Sequence, residues 1–163
     1  MNLLATITRD AIDPALALLP GKMDSDRARI QMLATGLQES RLIHRRQLGN
    51  GPARGLWQFE RGGGVKGLLE HPASAVMARD ICIALDVEPV PRPVWSALKT
   101  NDVLAGVFAR LLLWTDPAPL PAIGDEQGAW VYYLNNWRPG KPHPQTWPGF
   151  YQQAVKFVTK GAP

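Results

Sequence analysis

Ile30, Leu33, Ala34 and Leu37 recur at the i, i+3, i+4, i+7 spacing that lines one face of an α-helix with apolar side chains. Asp24 or Ser25 stands where an N-cap belongs, Met23 can staple the first turn, and the pattern runs to about Arg41. The stripe must be buried against other elements, so it commits this part of the chain to a helix packed in a core. Glu39 lies nine positions after Ile30, and at about 100° per residue it falls on roughly the opposite side of that stripe. Its carboxylate is thereby free to face a cleft.

The same reading predicts helices over 10–19, ending at Pro20 and Gly21, and near 72–86, 93–99 and 101–114. Asn101 caps the last of these, with Val103, Leu104, Val107, Phe108, Leu111 and Leu112 buried. Pro117, Pro119 and Pro121 make the next connection extended. Asp125 then caps a helix through Ala129, Trp130, Tyr133, Leu134 and Trp137, and a final helix spans Pro148 to Val158. Residues 42–64 are irregular and glycine-rich, with a strong turn at Gly49, Asn50, Gly51 and Pro52, a flexible stop at Gly62, Gly63 and Gly64, and room for a small β-hairpin. The fold class is mainly α, with one irregular or β-hairpin insertion. No repeat, low-complexity segment or long linker interrupts the chain, so residues 1–163 read as a single domain.

Composition narrows the function classes. At 45% hydrophobic and 20% charged residues the chain belongs with folded globular proteins. Cys82 is the only cysteine, which excludes an internal disulfide, and its apolar helical surroundings favour burial over nucleophilic chemistry. Arg9 and Asp10 cut short the apolar start Asn2 to Ile7, so no export signal or membrane span is expected. A net charge of +4 favours polyanions such as nucleic acid, membrane surfaces or the bacterial wall. The basic residues cluster once, at Arg41, His44, Arg45 and Arg46, where a solvated face is the ordinary explanation. His44, His71 and His143 are far apart and lack partners at metal-ligand spacing, so no metal or other cofactor is expected.

Leu37, Gln38, Glu39 and Ser40, followed by Gly55, Leu56, Trp57, Gln58 and Phe59, resemble the lytic transglycosylase and goose-type lysozyme families of the lysozyme-like superfamily. In those families a helix ending in Glu-Ser precedes a Gly-Leu-Met-Gln element. The spacing from Glu39 to Gln58 is nineteen positions, close to theirs. The resemblance spans roughly residues 25 to 140 and implies a lysozyme-like helical domain that cleaves the β-1,4 bond between N-acetylmuramic acid and N-acetylglucosamine in peptidoglycan. It implies that Glu39 is the general acid/base, which requires a carboxyl still protonated near neutral pH. A helix C-terminus and a partly apolar cleft both raise such a pKa.

Around Glu39 the resemblance implies a substrate-binding set of Gln58, Tyr133, Asn135, Trp57 and Ser40. Gln58 matches the glutamine that lines the sugar cleft, although an amide there can equally pin the local turn. Trp57 replaces the usual methionine and either stacks on a sugar ring or fills the core, with the core favoured. Tyr133 is the candidate for a hydroxyl held close to the catalytic acid, but Leu134 separates it from Asn135 where the family has Tyr and Asn side by side. The family's serine between the two motifs is also missing; Gly49 or Asn50 occupies that stretch. Most glycosidases need a second carboxylate. Glu60 is the candidate, with a solvated ion pair to the adjacent Arg61 as the favoured alternative. In lytic transglycosylases the muramic acid's own 6-hydroxyl attacks, so hydrolysis and transglycosylation both stay open. Trp137, Trp147, Phe150 and Tyr151 form an aromatic C-terminal segment that either binds glycan or, more commonly, packs the last helix.

The resulting expectation is a bacteriophage-type bacteriolytic enzyme, made in the host cytoplasm without a signal peptide and acting in the periplasm. It would be released there by a holin as an endolysin or delivered as a virion component that degrades the cell wall. Its partners would be peptidoglycan glycan strands and phage virion proteins, without nucleic acid or stable membrane insertion. The alternative is a non-catalytic virion or assembly protein that retains the lysozyme-like fold and docks partners through its aromatic C-terminal segment. Nucleic-acid binding through Arg41, Arg45 and Arg46 ranks third, since no recognised motif accompanies them.

Overall fold

The computed structural model describes residues 2–161, built from helices and their connections. Two short helices, α1 (Leu3–Ile7) and α2 (Asp13–Ala17), are joined by a wider π-turn over Thr8–Ile12. The opening helical stretch therefore begins well before residue 10, because the Asn2 side chain accepts the Leu4 N–H at 2.9 Å and starts the helix there.

Helix α3 (Asp26–Ser40) keeps the predicted limits. Ser25 is its N-cap, accepting the Ala28 N–H at 3.1 Å, and Asp26 in the first turn complements the helix dipole. Ile30, Leu33, Ala34 and Leu37 are buried as expected, and so are Gln31, Met32, Thr35, Gly36 and Gln38. The helix is thus enclosed on most of its circumference, packing against the last two helices as well as the middle of the chain. Gly36 permits one of these approaches: a Cβ there would lie 2.2 Å from Leu42 Cδ2 and 3.1 Å from the Trp57 indole nitrogen.

No β-hairpin forms over 42–64. Among the described residues the extended pairings are two isolated antiparallel bridges, Arg46 with Arg54 and Arg54 with Phe59. A ladder cannot lengthen because residues 55–58 turn inward, burying Leu56 and Trp57 completely. The triple glycine breaks the helical geometry, with Gly63 at φ −98° and ψ −107°. Beyond that kink the chain enters α4 (Lys66–Glu70), anchored by the burial of Val65, Leu68 and Leu69.

The remaining helices follow the predicted order: α5 (Ala75–Ala84), α6 (Pro91–Ala97), α7 (Asp102–Thr115), α8 (Glu126–Trp137) and α9 (Trp147–Lys160). Asn101 caps α7 through the Leu104 N–H at 2.9 Å, and Asp125 caps α8 through the Gly128 N–H at 2.9 Å. The segment with Pro117, Pro119 and Pro121 carries no regular structure. Buried side chains from Leu4 to Ala154 form one hydrophobic cluster, with Cys82 inside it and its thiol pKa pushed up to about 11 by burial. Among the described residues, no helix is long and apolar enough to cross a membrane.

The basic cluster is partly consumed by the fold. Arg45 makes a bidentate pair with Asp102 at 2.8 and 2.6 Å, tying the irregular segment to α7. Arg41 donates to the Leu37 and Gln38 carbonyls and lies 4.6 Å over the Phe150 ring. Two of the three arginines proposed for nucleic acid are therefore committed within the protein.

Candidate active site

A cleft of about 1290 Å³ opens beside the C-terminal end of α3. Gln38 and Glu39 form one wall, the segment from Gln58 to Gly64 a second, the end of α7 with Asp116 a third, and the end of α8 with Arg138 to His143 closes it. Glu39 is half-buried, the penultimate residue of α3. Arg41 and Leu42, immediately beyond, both take left-handed conformations at φ 59° and 56°, so the chain reverses sharply just after the carboxylate.

The Tyr133 hydroxyl donates to Glu39 Oε1 at 2.5 Å. Burial raises the Glu39 pKa to about 7, and the Tyr133 hydrogen bond opposes this by favouring the anion. Tyr133's own pKa is driven well up by burial and by the adjacent carboxyl, so it stays a hydrogen-bond donor. Its ring is fixed by stacking on Trp147 at 5.3 Å and Trp137 at 6.3 Å, with Trp130 packed at 5.3 Å. A carboxyl poised near neutrality beside a fixed neutral donor can give up a proton and take it back.

Ser40 and Trp57 lie in the core and do not line the cleft. The Ser40 hydroxyl donates to the Leu56 carbonyl at 2.6 Å and accepts the Leu42 N–H, joining the end of α3 to the Gly-Leu-Trp-Gln turn. Trp57 is fully buried with its indole N–H on the Met32 carbonyl at 2.8 Å, so it cannot stack on a sugar ring. Gly55, at φ 79°, brings this turn against α6, where a Cβ would meet the Leu98 carbonyl at 3.0 Å. Gln58 closes the turn at φ 54°, donating to the Gly55 and His44 carbonyls at 2.9 and 3.3 Å, while still lining the cleft. The amide therefore pins the local turn from the wall of the cleft.

Asn135 and Glu60 reach the cleft, and both are exposed. Glu60 makes no ion pair with Arg61 among the described residues. The aromatic C-terminal segment packs as a core: Trp147 and Tyr151 are buried, and the Tyr151 hydroxyl accepts the Gly124 N–H at 3.0 Å. Trp137 is the exception, lining the cleft and donating to the Trp57 carbonyl at 2.9 Å, which ties α8 to the Gly-Leu-Trp-Gln turn.

Three cleft residues escaped the sequence reading. Gln38 donates to the His143 carbonyl at 3.1 Å and accepts from Thr146 at 2.9 Å, holding the connection between α8 and α9 over the site. Asp116 is fixed by the Asn136 amide at 2.8 Å and the Ala118 N–H at 2.9 Å, and it adds a carboxylate to the wall. Asn136, one position beyond Asn135, is the asparagine with a fixed amide.

Among the described residues, no group of three or more histidine, cysteine or acidic side chains is arranged to hold a metal ion. Comparison with family models, curated proteins and solved structures returned no match for this chain.

Proposed function

We propose that this chain is a peptidoglycan-cleaving glycosidase with a lysozyme-like fold, in which Glu39 is the general acid/base. The observation that carries this reading is the half-buried Glu39 carboxyl, raised to a pKa of about 7 and hydrogen-bonded by Tyr133 at 2.5 Å inside a large open cleft. Protonated Glu39 donates to the glycosidic oxygen as the bond to the muramic acid carbon breaks and positive charge develops on the ring. The resulting carboxylate then takes a proton from the attacking hydroxyl. That hydroxyl belongs either to water, leaving a reducing end, or to carbon 6 of the same muramic acid, leaving an anhydro ring.

Tyr133 orients the acid, and its hydrogen bond strengthens as Glu39 becomes an anion. Gln58, Asn135 and Trp137 offer amide and indole surface for the sugars, and Asp116 and Glu60 are the carboxylates available for a second role. The alternative of a partner-docking virion protein relied on the aromatic C-terminal segment, where Trp147 and Tyr151 are buried and Phe150 is covered by Arg41. The cell wall would be reached from the periplasm, through holin lesions or as part of a virion.

The test is to incubate purified wild type and Glu39→Gln with peptidoglycan and identify fragments by mass spectrometry. Anhydro-muropeptides identify transglycosylation and reducing ends identify hydrolysis. No fragments from the wild type across pH and salt conditions would sink the proposal, and equal activity in the variant would remove Glu39 from its role.

A further inference from the structure

A second cavity, of about 460 Å³, is lined by Arg54, Arg61, Arg92, Trp95, Pro52 and Glu60, among others. Glu60 also lines the main cleft, so the two spaces share a wall. Three guanidinium groups face one carboxylate here, and none of the four forms an ion pair among the described residues. Three positive charges around one negative leave a local excess of positive charge, which attracts an anion.

Arg54 is held rigidly. It donates to the Gly51 and Ala53 carbonyls at 2.7 and 2.8 Å and stacks 4.6 Å over the Trp95 ring. Trp95 is anchored in turn by its indole N–H on the Pro52 carbonyl at 2.8 Å. The Arg54 Nε is buried and has no hydrogen-bond partner. Arg61 and Arg92 are exposed. They come from separate elements, the turn before α4 and the start of α6, which pack together.

We infer that this cavity is a subsite for carboxylates, and that its occupant is the anionic peptide stem carried by the muramic acid of a glycan strand lying in the adjoining cleft. This rests on the glycosidase reading for the identity of the strand. Guanidinium forks match the planar, bidentate geometry of a carboxylate. A peptide stem presents several carboxylates close to the sugar backbone, and the arginine-lined cavity shares its Glu60 wall with the cleft.

The first measurement is calorimetric titration of Glu39→Gln protein with a soluble stem tetrapeptide, with the same peptide amidated at its carboxyls, and with inorganic phosphate. The comparison protein also carries Arg61→Ala and Arg92→Ala, exposed positions whose fold is checked by circular dichroism. Binding of the free-acid peptide should weaken about tenfold or more in the arginine variant, as expected for lost hydrogen bonds to a charged group. The amidated peptide and phosphate should bind poorly to both. Equal affinity of the two proteins for the free-acid peptide overturns the subsite, and phosphate binding as tightly as the peptide overturns its assignment to the stem.

The second measurement compares cleavage of intact peptidoglycan and peptide-stripped glycan by proteins retaining Glu39. Loss of the two arginines should raise KM for the intact substrate and leave the stripped one unchanged. Equal effects on both substrates overturn the proposal. Peptide binding that depends on Arg61 and Arg92, in a protein that cleaves neither substrate, would retain the subsite and discard the glycosidase reading.

Discussion

The Tyr133 hydroxyl and Glu39 Oε1 meet at 2.5 Å across 94 positions of sequence. This contact joins the end of α3 to the middle of α8 at the floor of the cleft. The two residues shift one another: burial holds the Glu39 carboxyl toward its neutral form, while the hydroxyl favours its anion. Their opposition leaves the carboxyl titrating near neutrality.

Cleavage that needs protonated Glu39 should be strongest below about pH 7 and fall as pH rises through that value. Glu39→Gln should lower kcat by about 10²-fold or more. A pH–rate profile of wild type against the variant checks both, and a wild-type profile with no alkaline limb near pH 7 would contradict the assignment.

Tyr133→Phe keeps the aromatic stack but removes the donor. Because that hydrogen bond lowers the Glu39 pKa, its loss should move the alkaline limb of the rate profile to higher pH. Stability should change by only about 1 kcal/mol. Paired pH profiles and thermal melts measure the two effects, and an unmoved limb would show that Tyr133 does not act on the acid.

Glu39 also links stability to pH. Its pKa is about 7 in the fold against an ordinary 4.5, so between these values the folded chain holds more protons than the unfolded one. Its stabilising contribution is complete below about pH 4.5 and lost as pH rises through about 7. Glu39→Gln, neutral throughout, should therefore be more stable than wild type at about pH 8, by about 1–3 kcal/mol. The gap should close below about pH 4.5, as read by denaturant melts at both pH values.

Ser40→Ala should cost about 1–3 kcal/mol, because the Leu56 carbonyl loses its buried donor. Trp57→Ala should cost about 3–5 kcal/mol by opening a cavity in the core. If Trp57 supported the site only from behind, adding saturating substrate would not restore its stability selectively over other core variants. Chemical denaturation with and without glycan fragments measures this.

Most of the helical content was legible because its signals are local. The α3 stripe, the Ser25, Asn101 and Asp125 caps and the proline-rich break each act within a turn or two, and each appears where expected. Between the helices, local signals leave the outcome to distant packing. Gly62, Gly63 and Gly64 read as a flexible stop, and Gly63 does leave helical geometry, while the burial of Val65 and Leu68 fixes where the next helix begins. Residues 42–64 read as irregular with room for a hairpin, and the inward turn that buries Leu56 and Trp57 selects the irregular form with isolated bridges.

The candidate site divides in the same way. Periodicity alone turned Glu39 away from the apolar stripe, since a residue's face on a helix follows from its spacing. The partners of Glu39 are another matter. Tyr133 reaches it, Asp116 joins the cleft wall and Arg54, Arg61 and Arg92 gather at its side through contacts between elements far apart in the chain. A raised pKa was expected from the helix end and an apolar cleft, but its leading cause is desolvation, which depends on what distant elements pack around the carboxyl.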